Sequence, residues 1–219
     1  MTASPFDQSR YQLRFDWGQE GLRRLAPADV VVVVDVLRFS STVSARIVGG
    51  ETVPHDDAAH AVSRNGAAVA SAAADAGAVV FLGCLRNATA VARAVLAEQN
   101  RRAARTSVNV IAAGELSGQG DAAVLRFSVE DQLGAGAVFA ALEALGLDHS
   151  SPEAAAASES FRGLRSAVRH LLTASGSGQE LLEADRRAEV LAAAVHDADD
   201  AVPVLRGGVW RAYEAISAE

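Results

Sequence analysis

The run Val30-Val31-Val32-Val33-Val34-Asp35-Val36-Leu37-Arg38-Phe39-Ser40-Ser41-Thr42 decides how the chain is read. Five consecutive β-branched residues, stiff at χ1, favour extended backbone. A run without polar alternation predicts a strand covered on both faces, the usual state of a central strand in a parallel sheet. A carboxylate at its carboxyl end is poor packing material, because burying an unpaired charge is costly. Ligands of open α/β sheets collect just beyond the carboxyl ends of the strands. Ser40, Ser41 or Thr42 can cap the next helix and leave its first N–H groups facing an anion. One short segment thus offers an acid, a cation and hydroxyls. The simpler alternative is that Asp35 ends the strand and pairs with Arg38.

Outward from this run, strands and helices alternate. Tyr11 to Phe15 suggests an edge strand, followed by a short helix to Leu25 that Pro27 stops. Thr42 to Val48 reads as a helix closed by Gly49-Gly50, and Glu51 to Pro54 as a short strand. Helical composition over 56–62 and 67–76 is divided by the turn residues Asn65-Gly66. Strands are expected over 78–82 and 107–112, with a helix through Glu98 between them and a Gly-rich loop over 114–120 behind. A helix capped by Ser128 runs to about Leu145, and one long helix covers 152–173. Another starts near Gln179 after Ser175-Gly176-Ser177-Gly178, and 202–205 with 209–213 form a closing hairpin around Gly207-Gly208. The expected fold is α/β: a layered, mixed but largely parallel sheet flanked by helices, with a helix-rich C-terminal part. A single compact domain over 1–219 is expected, with lobes 1–147 and 148–219 as the alternative division.

The composition narrows the chemistry. Half of the 219 residues are hydrophobic, enough for a sizeable core, and the net charge of -7 argues against a nucleic-acid partner. The chain contains no lysine, so a Schiff-base lysine and a P-loop lysine are both excluded. Cys84 is the one cysteine, which suits a reducing compartment. A polar start and the lack of any apolar run near the ~20 residues that span a bilayer predict a cytoplasmic protein with no membrane contact.

Three segments place polar residues at strand ends or helix starts: 35–42, Gly83-Cys84-Leu85-Arg86-Asn87-Ala88, and Arg126-Phe127-Ser128-Val129-Glu130-Asp131. Glu130 and Asp131 fall in a first helical turn, where the helix dipole alone favours acids. Other residues ask for less. His55 and His60 are off the i, i+4 spacing of a helical metal pair and read as surface histidines. Cys84 reads as a buried structural thiol, and Gly134-Ala135-Gly136 follows no strand, so it is not a dinucleotide fingerprint.

Taken together, DVLRFSST at 35–42, LRNATAVA, the Gly114-Glu115 strand exit, RFSVEDQLGAGAV, SGSGQEL and VPVLRGGV resemble the 2-phosphosulfolactate phosphatase family over nearly the whole chain. The opening Arg14-Phe15-Asp16-Trp17-Gly18 is similar as well. The resemblance implies a Mg²⁺-dependent phosphatase that hydrolyses 2-phosphosulfolactate to sulfolactate and phosphate, a step of coenzyme M synthesis. For that chemistry the candidate catalytic residues are Asp35, Arg38, Glu130 and Asp131, and Asp35, Glu130 and Asp131 are the candidate metal ligands. Ser40, Ser41, Thr42, Asn65, Gly66, Asn87 and Arg126 are the expected substrate-binding residues. With no lysine, arginines must meet the anion, and their planar forks suit phosphate and carboxylate. Mg²⁺ takes oxygen ligands and is held by one or two carboxylates with water. Glu115 is a further candidate base, and Ser175 to Gly178 a candidate phosphate loop. The expected partner is a small anionic phosphorylated substrate; a homodimer is compatible, nucleic acid and membrane are not.

The chain departs from the family pattern after Pro54. Family members carry several dozen residues before the Asn-Gly turn, where this chain has only His55 to Arg64. One wall of the pocket is therefore expected to be reduced. The alternative function is a non-catalytic relative that binds a small anion or joins a complex.

Overall fold

The computed structural model describes residues 4–56, 65–118 and 123–214. The expected helix over 56–62, His60, Ser63-Arg64 and the end of the Gly-rich loop lie wholly or mainly outside the described residues.

In chain order the strands are β1 (Leu13–Trp17), β2 (Val30–Val34), β3 (Val53–Pro54), β4 (Val79–Gly83), β5 (Val108–Ala112), β6 (Glu115–Ser117), β7 (Val124–Arg126), β8 (Pro203–Arg206) and β9 (Val209–Ala212). The helices are α1 (Gly18–Arg24), α2 (Phe39–Val48), α3 (Gly66–Asp75), α4 (Ala88–Arg102), α5 (Val129–Ala144), α6 (Pro152–Leu164), α7 (Val168–Ala174), α8 (Gly176–Glu183) and α9 (Arg187–Ala193). Among the described residues one seven-stranded sheet has the order β1-β5-β2-β4-β8-β9-β3, and β6 pairs with β7 in a separate ribbon. β1, β5, β2 and β4 run parallel; β8, β9 and β3 extend the sheet antiparallel. This is the layered α/β arrangement that the sequence predicts.

The valine run is buried at every position and sits between β4 and β5. Because side chains alternate across a strand, Val30, Val32 and Val34 enter one core with Val91, Phe139, Phe161 and Leu172, whereas Val31 and Val33 enter a second with Phe39, Ile47, Val69 and Trp210. Val34 is level with Gly83 of β4 and Ala112 of β5, so three parallel strands end side by side. That flush edge positions everything in the site.

The closing hairpin turns at Gly207-Gly208, both at positive φ (58° and 73°), as a two-residue turn of matching twist requires. It joins the main sheet at Phe81↔Val204 and carries β3 at its far edge. There His55 is half-buried, not on the surface: Trp210 donates its indole N–H to His55 Nδ1 at 3.1 Å, and Nε2 lies 2.8 Å from Ser71 Oγ. The chain before the hairpin is fastened to the start of α4. Asp197 accepts from Thr89 N–H and Oγ1 at 2.9 and 2.7 Å, and Arg86 reaches the carbonyl of Ala192 at 2.7 Å.

Several local expectations shift. The stretch 152–173 is two helices joined by a 3₁₀ turn over Arg165–Ala167, just after Gly163, a weak helix former; the break lets Val168 and Leu172 turn into the core. α8 starts at Gly176, not near Gln179, because Ser175 Oγ accepts from Gly178 N–H. α9 was not expected from the sequence. Part of the Gly-rich loop is β6, and α2 begins at Phe39 with Arg38 as its N-cap, so the three hydroxyl residues lie inside the first turn rather than before it. Ser128 occupies the N-cap of α5 but makes no side-chain cap bond. Among the described residues no helix is long and apolar enough to cross a membrane.

Candidate active site

The exit of β2 is pinned by its own side chains. The Asp35 N–H donates to Ser40 Oγ at 3.0 Å, Ser40 Oγ donates to the Val33 carbonyl, and Phe39 N–H donates to Asp35 Oδ1 at 3.1 Å. Ser41 Oγ donates to the Val36 carbonyl at 2.8 Å. Ser40 and Ser41, expected on substrate, thus spend their hydroxyls on the turn, as short polar side chains do where backbone groups lack partners. Thr42 lines a cavity one residue further on. The Leu37–Arg38 peptide is cis.

Asp131 crosses from α5 to this turn. Its Oδ1 accepts from Val36 N–H at 2.7 Å and its Oδ2 from Gly114 N–H at 2.9 Å, tying the exits of β2 and β5 together. The Asn65 amide completes the link by donating to the Gly114 carbonyl at 2.7 Å. Gly114 needs to be glycine: its φ is +68°, and a Cβ would lie 2.9 Å from Leu125 and 3.0 Å from the Arg126 carbonyl. Gly66 closes on Asp35, where a Cβ would come within 2.7 Å of Oδ2. Burial raises the Asp131 carboxyl well above the usual carboxylate range, and the negative charges of Asp35 and Glu130 raise it further. Glu130 is itself 2% exposed, and no hydrogen bond reaches its carboxylate among the described residues.

The structure therefore brings Asp131 to the Asp35 turn, with Glu130 next to Asp131 in the same helical turn, but does not assemble the expected three-acid metal set of Asp35, Glu130 and Asp131. Among the described residues no three His, Cys, Asp or Glu side chains converge as a ready cation cage. The donor set fits a Mg²⁺ ion held by one or two carboxylates and water, since a cation offsets the repulsion that raises Asp131.

Arg38 stands beside this cluster with a quarter of its side chain exposed. It lines a cavity of about 360 Å³ between α2 and α9, with Thr42, Arg86, Arg186 and Glu189. Glu189 Oε2 is 3.6 Å away, beyond hydrogen-bond reach, and no hydrogen bond to the Arg38 side chain occurs among the described residues. Its partial burial is the main cause of a lowered guanidinium pKa, followed by the nearby charge of Arg186.

Other expected residues make contacts within the fold. Asn87 is fully buried; its Oδ1 accepts from Cys84 N–H at 2.9 Å and its amide donates to the Leu82 carbonyl at 3.1 Å. Arg86 grips buried Asp199 through two bonds of 2.8 and 2.6 Å. Arg126 lies against the start of α8, where a Cβ on Gly176 would be 2.5 Å from its guanidinium. Glu115 accepts from Ser177 Oγ at 2.5 Å, which joins the β6–β7 ribbon to that helix start. Cys84 is buried, and burial pushes its thiol up to about 11, as befits a structural cysteine. The sequence reading missed Arg186 and Glu189, whose i, i+3 spacing looks like any solvated helical pair.

A group of carboxylates and a guanidinium that makes no hydrogen bond among the described residues, set at the carboxyl ends of adjacent parallel strands, define an α/β protein with a combined acid-and-arginine site. The chain belongs to the 2-phosphosulpholactate phosphatase family, whose model matches residues 50–208. The match spans Asn65, Asn87, Glu130, Asp131, Arg186 and Glu189, and begins after Asp35 and Arg38. No curated protein matches the chain.

Proposed function

We propose that the chain hydrolyses a small acidic phosphomonoester of the 2-phosphosulfolactate type, with Mg²⁺ as its cofactor. The observation that carries this reading is Arg38. A largely covered guanidinium with no hydrogen bond among the described residues, next to a buried carboxylate cluster, is a receptor for an oxyanion.

Arg38 grips two phosphoryl oxygens with its planar fork and turns the phosphorus toward the acids. Asp35 and Asp131 would hold the ion, and Asp131 also keeps the β2 and β5 exits in register. When bound, Mg²⁺ supplies charge neutralisation on the phosphoryl oxygens and acidifies water. Glu130, whose oxygens accept no hydrogen bond among the described residues, takes the proton from the attacking water as the bond from phosphorus to the ester oxygen breaks, and that proton then goes to the departing alcohol oxygen. Thr42 offers its hydroxyl to the ester, while Ser40, Ser41, Asn65, Gly66 and Asn87 shape the backbone around it.

The test is phosphate release from 2-phosphosulfolactate by the purified chain, with Mg²⁺ and with EDTA. Turnover is expected only with Mg²⁺, and Asp35→Asn should lower kcat by at least about 100-fold while leaving the melting temperature nearly unchanged. Failure to release phosphate from any small acidic ester would overturn the reading. Sulfolactate binding without turnover would select the binding-only relative.

A further inference from the structure

Four arginines, Arg38, Arg46, Arg86 and Arg186, line the cavity with a single carboxylate, Glu189. Arg46 pairs with Glu51 at 2.8 Å, Arg86 with Asp199 at 2.6 Å, and Arg186 with Glu189 at 2.7 Å. Arg38 is left with the same Glu189 at 3.6 Å. Asp35 adds a nearby negative charge to Arg38 but does not line the space, whose volume is about 360 Å³. That is the low end of the range for small-molecule sites and suits a ligand of few atoms. Glu189 binds Arg186 through Nε and Nη2, which fixes the fork and leaves Nη1 without a hydrogen bond among the described residues. Arg186 and Glu189 of α9 line the same cavity as Arg38, whereas Asp35, Glu130 and Asp131 do not. An ester whose phosphoryl group is held by Arg38 therefore extends its remaining substituents toward α9.

We propose that Arg186 is the specificity-determining residue of this site, binding a second acid group of the phosphate ester held by Arg38 while Glu189 fixes its orientation. This rests on the phosphatase reading. A doubly acidic ester engages both guanidiniums, whereas an ester with neutral substituents leaves Arg186 and Glu189 as they are. Recognition by a charged hydrogen bond makes the difference large, roughly ten- to a hundredfold.

The experiment compares wild type and Arg186→Gln on 2-phosphosulfolactate and on glycerol 2-phosphate, which has the same branched ester carbon and no second acid. The substitution is expected to raise KM for 2-phosphosulfolactate by roughly ten- to a hundredfold, with kcat little changed and glycerol 2-phosphate unaffected. Arg186→Lys, which keeps the charge and loses the fork, should fall between. With 2-phosphoglycerate, a loss of similar size assigns the carboxylate as the group bound, and no loss assigns the sulfonate. Equal losses on both 2-phosphosulfolactate and glycerol 2-phosphate, or none on either, would overturn the proposal. So would the same selective loss in Arg187→Gln, an exposed neighbour with the same change of charge. Calorimetric binding of 3-sulfolactate separates this inference from the reaction. Weakened binding in Arg186→Gln supports it even if wild type shows no turnover; turnover with binding indifferent to Arg186 defeats it and leaves the phosphatase reading intact.

Discussion

Replacing Asp131 with Asn removes one acceptor from a bridge that uses two. In the native protein Oδ1 and Oδ2 each take a backbone N–H, at 2.7 and 2.9 Å, and the residue is 3% exposed. Asparagine offers one carbonyl oxygen, so either Val36 or Gly114 then faces an amide NH₂, donor against donor. A buried donor left unsatisfied costs about 1–3 kcal/mol. For a chain of this size the melting temperature should fall by roughly 3–10 °C. The pH dependence gives a second handle in metal-free protein. The Asp131 carboxyl is raised in the folded state, so the native protein keeps its proton to higher pH than the unfolded chain. The stability owed to this group is full below about pH 4 and is lost as pH rises toward the folded value. Asparagine carries no charge and escapes that loss, so the deficit of Asp131→Asn should narrow as pH rises. Thermal melts monitored by circular dichroism in EDTA, from pH 5 to pH 9, measure both effects. A variant as stable as wild type at pH 6, or a deficit that widens with pH, would refute this account of Asp131.

Gly66→Ala would drive a methyl group to 2.7 Å from Asp35 Oδ2. It should cut turnover well beyond its effect on melting temperature, measured by the same phosphate-release assay. Arg86→Ala would leave Asp199, which is 3% exposed at its side chain, without its cation and with the Ser44 hydroxyl as a remaining donor, and should cost about 3–5 kcal/mol in urea unfolding. Cys84 should resist a thiol reagent at pH 8 and react only in denaturant, because it is buried and its thiol titrates near 11. Glu189→Gln removes the carboxylate that competes for Arg38 and should tighten inorganic phosphate binding, with a steeper dependence on salt.

The valine run was legible because unbroken β-branched sequence has few fates, and its alternate residues do enter opposite cores. Strand order was not: the junction of β4 with β8 rests on pairing between residues far apart in the chain, and neither strand's pattern encodes its neighbour. The acids at 35, 130 and 131 could be associated only through the resemblance, since nothing in local spacing brings residue 131 to the backbone of residue 36. Asn87 shows the reverse difficulty. A polar residue at a strand exit looks the same in sequence whether its amide meets a ligand or, as here, the carbonyl of Leu82. Arg38 could be singled out from its place after the strand; the α9 pair opposite could not, because ordinary surface helices carry such pairs everywhere.

β2 is hemmed in by a strand at each edge and a core on each face, so Asp35 issues from the least deformable part of the molecule. The facing wall is different in kind: seven residues of helix on the periphery, with both ends in connecting segments and Arg86 stapled beside it. Sequence drift in α9 could retune which molecule is admitted while the machinery at the strand exit stayed untouched. A lineage that changes diet need rebuild only its doorway.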